Sequence, residues 1–305
     1  MVFVPEEFAR ATVVLHGEAG RLWLDGLPAL VEDCSARWSL KVGTPFPHLS
    51  YNYAAPAEGP GGEPLVLKLG VPTRELLCEV EALLAFGGSG VARLVDADAA
   101  RGALLLERLE PGTSLVGLCE VDDGAATSAA AGVMRRLWRD APGAHVFPTV
   151  ADWGRGFERC RALFGGGTGP FPRKLFEEAE TLYAELLSTS AAPVLLHGDL
   201  HHGNILVAAR APWLAIDPKG LVGEPAYEVG ALLRNPMPQL LRFPQPVRVT
   251  ERRIARLSEE LGLERARVRG WGLAQAVLSV WWTIEDGGEL GESDLAVAEM
   301  LAAAG

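Results

Sequence analysis

Between His197 and Pro218 the chain reads HGDLHHGNILVAARAPWLAIDP, which sets a carboxylate at Asp199, an amide oxygen at Asn204 and a second carboxylate at Asp217. Mg²⁺ takes hard oxygen ligands in near-octahedral geometry, usually one or two carboxylates completed by substrate phosphates. One oxygen-bearing side chain to meet a hydroxyl nucleophile and two to hold the metal are the parts that phosphoryl transfer needs. The neighbouring imidazoles do not point elsewhere. His201 and His202 are adjacent on a loop and do not face one ligand together, and zinc would need further partners that the sequence does not supply.

Such groups work only on a rigid frame. The apolar runs 194–196, 205–207 and 213–216 read as short strands that fix all three. Before them, the Ala-rich stretch 125–139 favours helix, and 173–188 carries Leu175, Phe176, Ala179, Leu182, Tyr183, Leu186 and Leu187 as a helical stripe. Nearer the N-terminus, Trp23, Leu27, Leu30, Val31, Cys34 and Trp38 predict an amphipathic helix over 18–38, against the breakers Gly26 and Pro28. Strands are expected at 38–42, 49–54 and 64–69, with a hairpin loop at 43–47 and a flexible turn at 57–63. Lys68 lies within the last of these strands, where a lone Lys ordinarily snorkels to water. Thr73 then reads as a helix N-cap, with Glu75, Glu79 and Leu83 on one face of the helix that follows.

The spacing H-G-D-x-x-x-x-N (His197 to Asn204) followed by I-D-P (Ile216 to Pro218) resembles the catalytic and metal-binding words of protein kinases, with departures. Gly198 stands where H-R-D has its Arg, so nothing there would receive an activation-loop phosphate. His201 stands where protein kinases keep a Lys, and Asp217-Pro218-Lys219 replaces D-F-G. This variant is similar to the aminoglycoside phosphotransferase family of small-molecule kinases. IDPKGLVGEPAYEVGALLRNP, LLERLEPGTSL and WWTIED resemble its streptomycin 6-kinase and hydroxyurea kinase branch, over roughly 38–286.

The resemblance implies an α+β, bilobal, protein-kinase-like fold. A small N-terminal antiparallel-sheet lobe with a helix would occupy 1–110, and a larger, mainly helical lobe 111–305. ATP and Mg²⁺ are the implied cofactors. Asp199 would accept the hydroxyl proton, and Asn204 and Asp217 would hold Mg²⁺. Lys68 would meet the α/β-phosphates with Glu79 as its partner, Glu75 being the second candidate. The strand 104–109 would lead into the hinge, where backbone groups of Glu107 and Leu109 meet the adenine, and the loop 43–47 would cover the phosphates. His197 would support the catalytic loop. His201 could carry charge there if protonated, and Lys219 could touch phosphate or pair with an acid. Glu224-Pro225-Ala226-Tyr227-Glu228 resembles A-P-E in position, with Tyr227 and Glu228 stabilising the lobe. The glycine run 164–170 lacks the Lys-Ser/Thr signature of a phosphate cradle and reads as a loop or substrate-side flap.

A chain of 305 residues is long enough for two cores. No apolar run approaches the ~20 residues of a membrane span. The N-terminus MVFVPEEFAR lacks the basic-then-apolar order of a signal peptide. With Cys34, Cys78, Cys119 and Cys160 far apart, reduced core thiols in a cytoplasmic protein are expected. The net charge of −11 disfavours nucleic acid and anionic membranes as partners and suits a small cationic substrate, although acidic surfaces also serve solubility alone. Streptomycin carries two guanidinium groups, so an acceptor pocket for it needs acids. Asp152, Glu158, Glu285 and Asp286 are candidates, of which Glu285 and Asp286, after Trp281 and Trp282, most resemble the branch. The same pair could equally be exposed acids closing a packed helix. Hydroxyurea needs no cationic pocket. The readings are thus an antibiotic kinase of the streptomycin type, a kinase for another small alcohol or amine-bearing metabolite (hydroxyurea, an amino sugar, a choline-like alcohol), or a nucleotide-binding regulator without turnover.

Overall fold

In the computed structural model, which describes every residue except Met1, His48, Glu289, Glu292 and Gly305, the chain divides into two compact units, Met1–Glu110 and Pro111–Gly305. The first opens with α1 (Glu6–Trp38), a helical run broken at Gly17, whose φ of 58° suits a residue without Cβ. The part after the break covers the expected 18–38, and Pro28 is accommodated within it. The part before the break buries Phe8 and Thr12.

Three expected strand bounds shift. Trp38 ends α1 instead of opening a strand, Ser39 caps the helix at φ 53°, and β1 shrinks to Lys41–Val42. The second strand, β2 (Tyr53–Glu58), starts later than expected because Tyr53, Ala55 and Ala57 supply the alternating buried face. The small side chains of Ala55 and Ala57 let the sheet approach Phe8, Leu27, Leu30 and Val31 of α1. Pro56 is tolerated inside β2 because its carbonyl accepts from Gly43 N–H at 2.8 Å, so its missing N–H lies on that same side, away from β3. Next come β3 (Pro64–Leu69), α2 (Arg74–Phe86), β4 (Leu94–Asp98) and β5 (Ala103–Glu107). The antiparallel sheet runs β1-β2-β3-β5-β4, with Lys68 of β3 between Ala54 and Leu104.

The second unit contains β6 (Pro111–Ser114), α3 (Val116–Val121), α4 (Asp123–Leu137), β7 (Arg139–Asp140), α5 (Val150–Leu163) and α6 (Arg173–Ser188). There follow β8 (Val194–Leu196), β9 (Ile205–Ala208), β10 (Ala211–Ala215), β11 (Leu221–Gly223), α7 (Val229–Leu233), α8 (Gln239–Arg242), α9 (Pro246–Leu261), α10 (Arg265–Glu285) and α11 (Ala296–Ala303). Two small sheets, β10-β9-β6 and β11-β8-β7, flank the loop that carries Asp199. Helix α10 is buried for most of its length and packs against α5, α6, α7, α9 and α11, so it is the axis of this unit. Its apolar residues run all round the helix, as burial on every side requires. All four cysteines are free and buried, and no described helix is long and apolar enough to cross a membrane. The architecture is the protein-kinase-like α+β fold, an antiparallel-sheet lobe and a mainly helical lobe.

Candidate active site

Lys68 and Glu79 meet as a buried ion pair in the first unit. Strand alternation turns Leu65, Leu67 and Leu69 to one face and Lys68 to the other. The Thr73 hydroxyl accepts from Leu76 N–H at 3.3 Å, starting α2 so that Glu79 falls on the facing side. Lys68 Nζ donates to Glu79 Oε1 at 2.5 Å, with the residues 5% and 7% exposed. An ammonium so placed requires a carboxylate, because an unpaired buried charge is far costlier than the pair.

Glu107 uses its own groups locally. Its carboxylate accepts from Arg93 N–H at 3.0 Å and its N–H donates to Arg93 O at 2.9 Å, clamping the start of β4. The N–H of Leu109 makes no hydrogen bond among the described residues. In the loop after β1, the N–H groups of Gly43 and Phe46 donate back to Pro56 and Ala54 of β2, which makes it a tied hairpin loop.

In the second unit, β8 delivers the chain into His197-Gly198-Asp199, and Glu228 holds the turn. Its two carboxylate oxygens accept from His197 N–H at 2.6 Å and Gly198 N–H at 2.9 Å. Gly198 has φ 87°, and a Cβ there would lie 3.3 Å from the Cβ atoms of Lys219 and Leu221. Both facts disfavour at this position, in this backbone conformation, the Arg that protein kinases carry. Fully buried His197 donates from Nε2 to Ile216 O at 2.8 Å, while its Nδ1 accepts from Asp199 N–H at 3.2 Å. Its carbonyl accepts from Lys219 N–H at 2.8 Å. One residue thus ties the Asp199 turn to the segment around Asp217. Burial drives its pKa down to about 4, so it is neutral and keeps this tautomer.

The two expected metal ligands are brought together by backbone pairing. Asn204 O accepts from Ile216 N–H at 2.9 Å, next to the Ile205–Ala215 pair of β9 and β10. The Asn204 amide nitrogen donates to Asp199 O at 3.0 Å, which directs its Oδ1 away from that carbonyl. Asp217 sits at φ 58°, an uncommon backbone state outside glycine that is frequent at functional sites.

Asp199 itself has a partner that the sequence did not disclose. Arg234, at the C-terminal cap of α7, donates from Nη2 to Asp199 Oδ1 at 2.9 Å and from Nη1 to Ser279 Oγ of α10 at 3.3 Å. Burial alone would raise the Asp199 pKa, but Arg234, His201, Lys219 and His197 together take it below its ordinary value. His201 does not supply a fixed charge at neutral pH. Burial lowers its pKa, Nδ1 accepts from Gly203 N–H at 3.1 Å, and Nε2 is 3.8 Å from Asp199 Oδ2, too long for a hydrogen bond. Fully buried His202 has no hydrogen bond at either ring nitrogen among the described residues, which hold no His/Cys/Asp/Glu cluster fit for a metal.

Glu224 pairs with Arg267 at 2.5 Å and accepts from Trp271 Nε1, locking the Pro225–Glu228 turn to α10. The acids proposed for the acceptor are separated by their partners. Glu285 is held by Arg159 of α5 in a two-pronged pair at 2.5 and 2.9 Å. Asp152 closes a capping box with Thr149 and pairs with Arg155, and Glu158 is exposed on the same helix. Asp286 follows Ser279 by two helical turns and so continues its line along α10 to within ~20°.

Residues 52–287 match the aminoglycoside/hydroxyurea antibiotic resistance kinase family. The chain is 35% identical to streptomycin 6-kinase of Streptomyces griseus, over 99% of this chain and 97% of that protein. It is 36% identical to hydroxyurea phosphotransferase of Kitasatospora aureofaciens, over 99% of this chain and 86% of that protein. Among solved structures, aminoglycoside phosphotransferase APH(3'')-Id from Streptomyces rimosus, in complex with ADP and streptomycin, superposes with a TM-score of 0.55 at 17% identity, covering 83% of this chain and 98% of that one. With the kinase fold and full-length relatives at this identity, the chain is a phosphotransferase that belongs to the aminoglycoside/hydroxyurea antibiotic resistance kinase family.

Proposed function

We propose that this kinase transfers the γ-phosphoryl group of ATP to a hydroxyl of streptomycin, with Mg²⁺ as the metal. The observation that carries this is the convergence of Asp199, Asn204 and Asp217 on one loop framework, clamped by His197 and Glu228. The β9–β10 pairing brings the backbone of Asn204 against Ile216, next to Asp217, and a carboxylate and an amide oxygen are the hard donors Mg²⁺ prefers. Asn204 and Asp217 would hold it, and its charge would neutralise the phosphate oxygens. Lys68, oriented by Glu79, would meet the α/β-phosphates. The Leu109 N–H and the Glu107 carbonyl would meet the adenine, the Glu107 N–H being committed to Arg93.

The acceptor oxygen forms a bond to the γ-phosphorus as the bond to the β–γ bridging oxygen breaks, ADP leaves, and the hydroxyl proton passes to Asp199. A depressed pKa makes Asp199 a weak base, which suffices because a loose transition state asks for little deprotonation. Positioning and electrostatics supply most of the rate. Use of ATP as donor fits a cytoplasmic enzyme.

Hydroxyurea is the second reading. It is favoured by the Glu285–Arg159 pair, which neutralises one of the acids a cationic acceptor would use. The test is Mg²⁺-dependent ADP release from ATP with streptomycin, with hydroxyurea and with neither. Stimulation by streptomycin is expected. Stimulation by hydroxyurea alone would move the assignment to the second reading, and no stimulation by either would remove both.

A further inference from the structure

The consecutive tryptophans near the end of α10 part company. Trp281 is buried in the core, whereas Trp282 turns outward and is partly exposed. There it meets Trp153 of α5, ring centroids 5.3 Å apart at 75°. The two helices approach closely because α5 carries Gly156, where a Cβ would lie 2.8 Å from Leu278 Cδ2 and 3.2 Å from Trp281 Cδ1. Trp153 in turn reaches the catalytic turn, its Cη2 being 3.4 Å from where a Cβ on Gly198 would stand, one residue before Asp199. On the other side, Trp282 lies one helical turn from Ser279, the residue that holds Arg234 against Asp199. Neither Trp153 nor Trp282 uses its indole N–H in a hydrogen bond among the described residues, and neither N–H is buried. Two indoles thus stand at near right angles, partly open, beside the group that receives the acceptor proton.

Aromatic faces attract flat cations, and guanidinium stacks on indole with its N–H edge free for hydrogen bonds. The negative end of α10 adds attraction for positive charge. The family joins relatives named for streptomycin and for hydroxyurea, acceptors that share neither ring nor charge. Both do carry a planar nitrogen-rich group, guanidino in one and ureido in the other, within a few bonds of a hydroxyl. A subsite for that plane has to lie beside the catalytic carboxylate, where this pair lies.

We propose that Trp153 and Trp282 form a stacking subsite for the planar guanidino or ureido group of the acceptor. This rests on the phosphotransferase reading given above, and the test separates the two. Binding of streptomycin, hydroxyurea, ethylguanidinium, ethylurea and ethylammonium to the full-length protein with ADP and Mg²⁺ is measured by calorimetry and by quenching of tryptophan emission. The proteins compared are wild type, Trp282→Leu, Trp282→Phe and Trp153→Leu. Ethylguanidinium and ethylurea are expected to bind and to compete with the acceptor, while ethylammonium binds at least about tenfold more weakly. Either Leu variant should weaken acceptor binding about tenfold with ADP affinity unchanged, and Trp282→Phe, which keeps an aromatic face, should recover most of it. Ethylammonium competing as well as ethylguanidinium, or acceptor affinity staying within twofold in both Leu variants, would overturn the subsite. Ethylguanidinium binding that depends on Trp282, with no binding or turnover of streptomycin or hydroxyurea, would overturn the assigned acceptors and leave the subsite standing.

Discussion

Arg234 Nη2 lies 2.9 Å from Asp199 Oδ1, so a cation reaches this carboxylate from the end of α7 and not from the loop that carries Asp199. The loop position itself holds a His201 whose pKa burial has lowered. A charge-assisted hydrogen bond contributes about 1.5–3 kcal/mol. Arg234→Gln should therefore lower kcat about 10- to 100-fold with the KM for ATP little changed, and Arg234→Lys should recover part of the loss. The acid limb of the pH–rate profile should move upward in Arg234→Gln, because the principal cation lowering the Asp199 pKa is gone. Steady-state kinetics over pH 4–8 checks this, and an unmoved limb with full kcat would make Arg234 a bystander.

His197 and Glu228 titrate in opposite senses around one turn. Burial lowers the His197 pKa from 6.5 to about 4, so its stabilisation is present above pH 6.5 and is lost as pH falls toward 4. Burial raises the Glu228 pKa from 4.5 to about 7 against the two N–H bonds that lower it, so its stabilisation is present below pH 4.5 and is lost as pH rises through 7. Each span corresponds to about 3 kcal/mol. Between pH 4.5 and 6.5 the slopes cancel. Glu228→Gln should unmask a thermal midpoint that falls with acidification, and His197→Gln one that falls as pH rises to 7. Melting curves from pH 4 to 8 would show it, and parallel profiles for the three proteins would contradict the pairing.

Breaking the Lys68–Glu79 pair from one side leaves a buried charge without its partner. Lys68→Met is expected to destabilise by about 3 kcal/mol, and the double variant Lys68→Met/Glu79→Leu to be more stable than Lys68→Met alone. Denaturant melts measure the order. Neither variant should turn over ATP at more than about 1% of wild type, through loss of the phosphate contact.

Asp217 combines the carboxylate proposed to hold Mg²⁺ with a left-handed backbone, and the two can be separated. Asp217→Gly should relieve the φ of 58° and stabilise the fold by about 1 kcal/mol while abolishing transfer. Asp217→Ala should abolish transfer without the gain. In both, calorimetry should find ATP binding that no longer strengthens when Mg²⁺ is added. Mg²⁺-dependent binding in either would take the metal away from Asp217.

Much of this protein was legible in one dimension because its chemistry is local. His197, Asp199 and Asn204 lie within one loop, and Asp217 follows after a single hairpin, so spacing fixes their relation almost without tertiary information. The strand 64–69 and the helix 173–188 were equally legible, since an alternating or 3.6-residue pattern is a property of the segment itself. Strand bounds around 38–58 were not, because Ala55 and Ala57 are buried by the approach of α1 and not by their own hydrophobicity. The partners of the site came only with the fold. Arg234 follows Asp199 by 35 residues and reaches it because α7 ends beside the catalytic turn. Glu228 looked like a lobe-stabilising acid and proves to hold the backbone of His197 and Gly198 directly. Glu285, read from sequence as an acceptor ligand, meets Arg159 across 126 residues. Which acid stays paired, and which faces a ligand, depends on helix packing that no spacing encodes. The sequence determined the proposed reaction centre because its groups share one stretch of backbone, and tertiary structure decided their charge state and surroundings because burial and long-range pairing set those.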